Sequence, residues 1–267
     1  MKVGVLQFAA GLDKADNLAR LVALIEQGAD QGAELLIAPE AAMHDFGPAD
    51  LPLAPVAESL DGAFVSGVSA VASRRGVTVV AGMFEVGDGS RIFNTVVAVG
   101  PAGELIGSYR KQHLFDALGW KESDRLLAGD PGEGLVFPVG EMTVGVMTCY
   151  DVRFPELGRF LVDEGANLLA IPSAWVAGDN KLEQWRALTT ARAIEDVCYV
   201  AGAVQNPPTY TGGSLVIDPW GIELASLDAG VEGTAVADVS AARVDECRQL
   251  MPSLVNRRWR VSPRLSR

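Results

Sequence analysis

The sequence predicts an α/β fold in which helices cover sheets rich in valine, leucine and alanine. The apolar pattern switches repeatedly between short β-rich runs and segments of helical periodicity. Hydrophobic residues make up 49% of the 267 residues, which is enough for a large core. No internal repeat, low-complexity segment or linker interrupts the chain. We therefore expect one domain that spans residues 1–267.

The N-terminal half alternates strands and helices. Apolar residues follow helical spacing over residues 18–25 and again over 56–75, where Leu60 and Phe64 share a face. The turn "GPAG" between two β-rich runs predicts a hairpin. The predicted strands of this half are "KVGVLQFA", "AELLIAPE", "VTVVAGMFEV", "IFNTVVAVG" and "GELIGSYRK".

The C-terminal half continues this alternation. The predicted strands are "MTVGVMTC", "NLLAIPSAW", "CYVAGAVQ", two within "GGSLVIDPWGIELASL", and "GTAVADV". The predicted helices are "FPELGRFLVDEG", "KLEQWRALTTARAIED" and "AARVDECRQL". The last segment, about residues 252–267, is basic on an acidic chain, and we weigh a solvated terminus against an arm that reaches a subunit interface through Trp259.

Charge and cysteine content narrow the functional classes. The formal net charge of -12 argues against nucleic acid or an anionic membrane surface as a partner, since both require a basic footprint. No apolar run approaches the ~18 residues of a membrane span, and "MKVGVLQFAAG" suits a first strand better than a signal peptide. The three cysteines are odd in number and widely spaced. We therefore expect a cytoplasmic protein without disulfides.

Several kinds of catalytic site are not supported by the motifs. The chain has two histidines, His44 and His113, and neither a C-x-x-C nor an H-E-x-x-H motif, so we expect no metal. A G-x-S-x-G nucleophile elbow is absent, and "GDPGEG" lacks the G-K-[ST] ending of a phosphate-binding loop. We expect no cofactor. The remaining possibilities are acid, lysine and cysteine chemistry.

Three reactive side chains close predicted strands. Glu40 ends "AELLIAPE", Lys111 ends "GELIGSYRK" and Cys149 ends "MTVGVMTC". Ligands of open α/β sheets bind beyond the carboxyl ends of strands, so these side chains can converge. Taken singly, however, a strand-end Glu or Lys is usually solvated and a cysteine is usually buried.

Cys149 differs from the other two cysteines in its surroundings. Cys198 opens an apolar strand and Cys247 lies in a predicted helix, which is typical of core residues. Cys149 is followed by polar residues and by Pro155, at the start of a predicted helix. We expect the positive end of that helix to favour a thiolate.

Together the three groups are sufficient for acyl transfer. Glu40 can act as the general base, while Lys111 and the backbone N–H of Tyr150 can stabilise an oxyanion. His113 is a competing base, because cysteine hydrolases more often pair Cys with His. We expect His113 to support the catalytic residues without being the base itself. We expect His44 to be a loop residue near the mouth of the site.

The motifs "APEAAMHDF", "YRKQHLFD" and "CYDVRFPEL" resemble, in order and spacing, the Glu, Lys and Cys motifs of the nitrilase superfamily of carbon–nitrogen hydrolases. The resemblance extends over nearly the whole chain. It implies a four-layer α-β-β-α sandwich that stacks into an eight-layer homodimer. It also implies a cofactor-free hydrolase with Cys149 as nucleophile, Glu40 as base and Lys111 as oxyanion stabiliser.

The same resemblance assigns further site residues. Glu122 of "WKESDRLLAGD" matches a second family glutamate, which would hold Lys111 or the attacking water. Tyr150 would supply its backbone N–H, and Trp175 would line the pocket, although a half-buried core tryptophan is the competing interpretation. The chain departs from many family amidases at Gln184 and Gly213, where those proteins often carry histidine.

The short length is most similar to the family's small amidases, the omega-amidases and deaminated-glutathione amidases. We therefore expect hydrolysis of a terminal carboxamide on a small, carboxylate-bearing aliphatic acid. The alternatives are N-carbamoyl hydrolysis, nitrile hydrolysis, a catalytically silent scaffold, and a redox sensor built on Cys149. Arg153 is a candidate carboxylate binder, but an ion pair with Glu156 is equally consistent with its position.

Overall fold

A computed structural model describes residues 1–263 of the chain. Five α-helices lie within this range. They are α1 (Lys14–Asp30), α2 (Ala63–Arg75), α3 (Pro155–Asp163), α4 (Lys181–Asp196) and α5 (Ala241–Leu250). Two 3₁₀ turns also form, Glu122–Asp124 between two strands and Cys149–Arg153 between a strand and a helix. No helix of residues 1–263 has both the length and the apolar character that a membrane span requires.

The strands form two mixed sheets. The first has the order β13-β1-β2-β3-β4-β5, with β6 paired to β4, and the second has the order β12-β11-β10-β9-β8-β7. The strands of the first sheet are β1 (Lys2–Gln7), β2 (Leu35–Ile37), β3 (Thr78–Glu85), β4 (Ile92–Val99), β5 (Leu105–Arg110), β6 (Leu126–Leu127) and β13 (Gly233–Asp238). Those of the second are β7 (Val136–Val139), β8 (Met142–Val146), β9 (Leu168–Ser173), β10 (Tyr199–Val204), β11 (Leu215–Ile217) and β12 (Glu223–Ser226).

The sheets pack face to face, and each outer face carries two helices. In β2, Leu35 and Ile37 enter the core between the sheets, whereas Leu36 joins the core under α1 and α2. This alternation follows from the two-residue period of a strand. On the second sheet, α3 and α4 pack over β8 and β10. The four layers confirm the predicted α/β sandwich.

Most of the predicted elements are confirmed by the structure. The hairpin forms from β4 and β5, which pair antiparallel, and α4 and α5 have the predicted bounds. Pro155 is the first residue of α3, as expected. The helix predicted over 56–75 is wrong in its first turns, because α2 begins at Ala63 and Leu60 lies before it.

One strand of the second sheet was not predicted. The edge strand β7 contains Pro138, and a proline argues against a strand assignment. At the edge of a sheet, however, the missing N–H can face away from the neighbouring strand, so Pro138 is tolerated there.

The three strand-end side chains lie one to three residues beyond their strands. β2 ends at Ile37, three residues before Glu40, because Pro39 has no N–H for the ladder. β5 ends one residue before Lys111, and β8 ends three residues before Cys149. β2, β3 and β5 run in the same direction in their sheet, so Glu40 and Lys111 emerge at one edge.

The sequence leaves two interpretations of the C-terminal segment, a solvated terminus and an arm at a subunit interface. Residues 264–267 lie outside the described range. Before them, Arg257 forms an ion pair with Asp163, and Trp259 is 87% exposed. The homodimer and the role of this arm stay predictions.

Asp196, at the end of α4, is a buried carboxyl group that should make stability depend on pH. Burial raises its pKa from 3.8 to about 7, although Arg159 Nε lies 3.1 Å from Asp196 Oδ1. Between these two pKa values the folded protein binds a proton that the unfolded chain has lost. The free energy of unfolding should therefore fall as pH rises from about 4 to 7.

Asp196→Asn should remove this pH dependence. As pH rises from 5 to 8, the variant should gain about 3 kcal/mol of stability relative to wild type, because the folded pKa of about 7 lies two units above pH 5 and one pKa unit corresponds to about 1.36 kcal/mol. Urea unfolding at a series of pH values measures the difference. Asp16→Asn, on the exposed face of α1, is the control with the same charge change. Parallel pH curves for Asp196→Asn and wild type would contradict the prediction.

Candidate active site

A buried ion cluster joins Lys111 to two glutamates. Lys111 Nζ donates to Glu40 Oε1 at 2.9 Å and to Glu122 Oε2 at 2.9 Å. Burial opposes the charge of Lys111, but Glu122 and Glu40 outweigh it and raise the lysine's pKa well above its ordinary value. Lys111 is only 1% exposed and stays an ammonium ion. It can stabilise negative charge but cannot act as a base.

The carboxylate of Glu40 is held from both sheets. Asn94 Nδ2, on β4, donates to Glu40 Oε1 at 2.6 Å. The backbone N–H of Ala174, just after β9, donates to Glu40 Oε2 at 2.7 Å. The segment that carries Glu40 packs against Gly82, where an added Cβ would lie 2.6 Å from the Glu40 Cα. These contacts fix the position of the carboxylate.

Cys149 is the first residue of the 3₁₀ turn Cys149–Arg153 and has a positive φ of 48°. This conformation is uncommon for a residue with a side chain, and strained backbone of this kind clusters at functional sites. Burial, followed by the charge of Glu40, raises the pKa of the Cys149 thiol well above its ordinary value.

The predicted thiolate at the positive end of α3 is therefore wrong. That helix begins only at Pro155, six residues beyond the sulfur-bearing residue. Burial and the neighbouring carboxylate outweigh Lys111, which lowers the pKa of Cys149. Burial and Glu40 thus favour the protonated thiol by raising its pKa, so a nucleophilic role for Cys149 would require a base.

Asp151 lies in the 3₁₀ turn Cys149–Arg153, here called the cysteine turn, and connects it to the segment that carries Lys111. This fully buried carboxylate accepts hydrogen bonds through Oδ2 from the Thr148 N–H at 2.9 Å and from the Tyr109 hydroxyl at 2.8 Å. Its Oδ1 lies 2.7 Å from His113 Nδ1 and accepts from the His113 backbone N–H at 3.2 Å. Because Tyr109 and His113 flank Lys111, Asp151 sets the position of the cysteine turn relative to the lysine.

The two histidines and the other two cysteines do not line the pocket. His113 stacks on Phe154 with a centroid distance of 3.7 Å and serves Asp151, which agrees with a supporting role. His44 is buried, not at the mouth, and its Nδ1 lies 2.6 Å from the Asp45 carbonyl oxygen. Cys198 and Cys247 are buried core residues, as predicted.

A small, mainly apolar pocket opens onto Cys149 and Glu122. Its cavity volume is about 50 Å³. Trp175 is both buried and part of the wall, so the two interpretations of this residue are compatible. The other walls include Phe46, Phe115, Trp120, Tyr150, Val176 and Tyr210.

Two cations lie on the α4 side of this pocket. Arg153 was weighed as a partner of Glu156, but its Nη2 donates to Gln184 Oε1 at 2.6 Å and its guanidinium lies over the Trp175 ring. Lys181, the first residue of α4, lines the pocket. Sequence reasoning missed Lys181, because a lysine at a helix start usually faces solvent.

Asn94 and Asp151 were also missed. Asparagine in a strand and aspartate after a strand carry no signal of their own in the sequence. Their importance follows from contacts with Glu40 and with the cysteine turn, which only the fold brings together.

Comparison with known proteins places this geometry in a family. The carbon–nitrogen hydrolase family model matches residues 2–249. The chain is 38% identical to a Mycobacterium tuberculosis hydrolase, an alignment that covers 96% of this chain and 95% of that protein. It is 34% identical to the deaminated glutathione amidase of Escherichia coli O157:H7, with 97% and 98% of the two chains covered.

The fold also matches that of a solved amidase from Nesterenkonia sp. AN1. The TM-score is 0.82 at 26% identity, and 97% of this chain and 96% of that chain are covered. A glutamate-to-glutamine mutant of the Nesterenkonia amidase carries the acetamide moiety of fluoroacetamide covalently at its active-site cysteine.

The chain therefore belongs to the carbon–nitrogen hydrolase family. It is an enzyme of the nitrilase superfamily, and the predicted resemblance is confirmed. The expectation of an amidase is confirmed at the level of the class.

Asp151→Asn should lower kcat for amide hydrolysis by about 10- to 100-fold while KM changes little. Asparagine replaces one carboxylate oxygen with an NH₂ group, which cannot accept the hydrogen bonds that Asp151 receives. The cysteine turn should therefore shift, and a small displacement of a nucleophile lowers the reaction rate by about this factor. Steady-state kinetics with the best amide substrate measure the effect. Asp88→Asn, in the exposed β3–β4 turn, is the control. A raised KM with an unchanged kcat would show that Asp151 shapes the pocket instead.

Proposed function

We propose that the protein hydrolyses the terminal carboxamide of a small, carboxylate-bearing aliphatic amide to the acid and ammonia through a Cys149 thioester. The observation that carries this proposal is the buried ion cluster of Glu40, Lys111 and Glu122 next to the Cys149 thiol, with Glu122 and Cys149 both lining the pocket. A carboxylate base, a permanent ammonium ion and a thiol are the groups that acyl transfer requires.

In the first half of the reaction, Glu40 takes the thiol proton while the Cys149 sulfur attacks the amide carbon. The carbon–sulfur bond forms and the carbonyl π electrons move to oxygen. Lys111 and the backbone N–H of Tyr150 stabilise this oxyanion. Glu40 then gives its proton to the amide nitrogen, the carbon–nitrogen bond breaks, and ammonia leaves a thioester on Cys149.

In the second half, Glu40 takes a proton from a water molecule that attacks the thioester carbon. The tetrahedral intermediate collapses, the carbon–sulfur bond breaks, and the proton returns to the sulfur. The acid is released and the resting thiol is restored. The raised pKa of Cys149 favours this last protonation.

Glu122 positions Lys111 in both halves. Its carboxylate accepts from Lys111 Nζ and also, through Oε2, from the Phe115 N–H at 2.8 Å. Burial raises the pKa of Glu122, with Lys111 opposing this effect. Because the Glu122 carboxylate also contacts Lys111, Glu40 can gain and lose a proton while Lys111 remains an ammonium ion. The same carboxylate faces the pocket, where it can orient the attacking water.

Cys149→Ala should abolish ammonia release, and wild type should form an acyl-enzyme. The wild type is assayed for ammonia over a panel of ω-amides, carbamoyl amino acids and nitriles. Rapid acid quench and intact-protein mass spectrometry should detect the acyl group on Cys149 and on no other residue. Cys247→Ala, in α5, removes a buried thiol outside the pocket and should keep the activity.

Other results on this panel would replace the proposal. Release of carbon dioxide with ammonia from carbamoyl compounds alone would assign N-carbamoyl hydrolysis. Turnover of nitriles and of no amide would assign a nitrilase. No turnover, with Cys149 no more reactive toward iodoacetamide than Cys198, would indicate a silent scaffold.

A further inference from the structure

Lys181 places a positive charge inside the active-site pocket without a carboxylate partner. Its side chain is 6% exposed, and Nζ lies over the Trp175 ring, 4.4 Å from the centroid. The Phe115 ring lies 5.5 Å from the same atom. Within residues 1–263, no carboxylate oxygen lies within 4.0 Å of Lys181 Nζ. The aromatic rings partly compensate the charge but do not neutralise it.

The other buried lysine provides a contrast. Lys111 contacts two carboxylates, which raise its pKa. Burial and the nearby Arg153 lower the pKa of Lys181, and the shift shows that its charged form is less stable than in water. A buried cation in this state gains from any anion that enters the pocket, because the anion restores the lost solvation.

The position of Lys181 is fixed by the pocket wall itself. Trp175 Nε1 donates to the Lys181 carbonyl oxygen at 2.8 Å, so the indole that lies under Nζ also holds the backbone. Asn180, just before it, has a positive φ of 56° at the start of α4. The ammonium group is therefore part of a built site and not a mobile surface charge.

The remaining charges around the pocket do not neutralise Lys181. Glu122 is engaged with Lys111 and the Phe115 N–H. Arg125 also lines the pocket, and its Nη1 donates to the carbonyl oxygens of Phe46, Pro48 and Leu51. Away from the ion cluster, the charged groups that line the pocket are thus positive.

We propose that Lys181 binds the carboxylate of the substrate and selects acidic amides over neutral ones. This inference rests on the proposed amidase function and assigns its specificity to one residue. The carboxamide lies at Cys149, the carboxylate meets Lys181 Nζ, and a short aliphatic chain lies against the apolar walls that Phe115 and Trp175 provide. Lys181 does not contact the reacting carbon and takes no part in proton transfer.

The test compares two amides of similar length in wild type and Lys181→Met. Glutaramate carries a carboxylate at the far end, and pentanamide carries a methyl group there. In Lys181→Met, kcat/KM for glutaramate should fall about 10- to 100-fold, as expected for the loss of a hydrogen bond to a charged group. The value for pentanamide should stay within about threefold, since methionine preserves the volume of the side chain.

Two further variants isolate the charge. Lys2→Met, at the first residue of β1, removes one lysine charge away from the pocket and should leave both substrates unchanged. Lys181→Arg keeps the charge and should retain most of the preference for glutaramate. Equal loss on both amides in Lys181→Met would overturn the proposal and show a role in folding or in the chemistry. An unchanged preference for glutaramate would overturn it as well.

A binding measurement separates this inference from the proposed function. Calorimetric titration of glutaramate into Cys149→Ala, which should not hydrolyse it, should give a dissociation constant that rises about 10- to 100-fold when Lys181→Met is added. Glutaramate affinity that is independent of Lys181 overturns the specificity role, even if ammonia release proceeds by the proposed route. Lys181-dependent binding of glutaramate supports that role, even if no amide in the panel is hydrolysed by wild type.

Discussion

The active site depends on one buried ammonium ion. Lys111 is held between Glu40, in the connection from β2 to α2, and Glu122, which lies with Lys111 in the connection from β5 to β6. Removing one partner from a buried ion cluster leaves an uncompensated charge, which typically costs 3–5 kcal/mol. The first sheet therefore has to present β2 and β5 in the same direction, with their ends at one edge.

Polar contacts from the segments that follow β8 and β9 tie the second sheet to this cluster and its neighbours. The Ala174 N–H, after β9, reaches Glu40, and Asp151, after β8, reaches Tyr109 and His113. β8 and β9 are parallel, so the segments that follow them meet at one edge of the second sheet. Face-to-face packing of the sheets then brings the Cys149 thiol to Glu40, its proposed base. This is why a fold of four layers, and not a single sheet, supports the chemistry.

The sequence predicted the elements better than the contacts among them. Glu40, Lys111 and Cys149 could be identified because reactive side chains at strand ends are informative in α/β proteins. Glu122 required the family resemblance, since a glutamate in a loop has no distinctive pattern. Asp151 and Lys181 were missed because their roles depend on burial, which a polar residue at the start of a turn or helix does not reveal.

The two buried lysines of the active site differ in the groups that balance their charge. Lys111 has two carboxylate partners, while Lys181 has aromatic neighbours instead. A substrate carboxylate near Glu40 and Glu122 would meet like charges, and near Lys181 it meets an opposite one. If the proposed function holds, electrostatics alone orient an acidic amide with its neutral carboxamide toward Cys149. A neutral amide would lack this orienting force, so the two carboxylates at the catalytic end and the ammonium group of Lys181 would together give the pocket its direction.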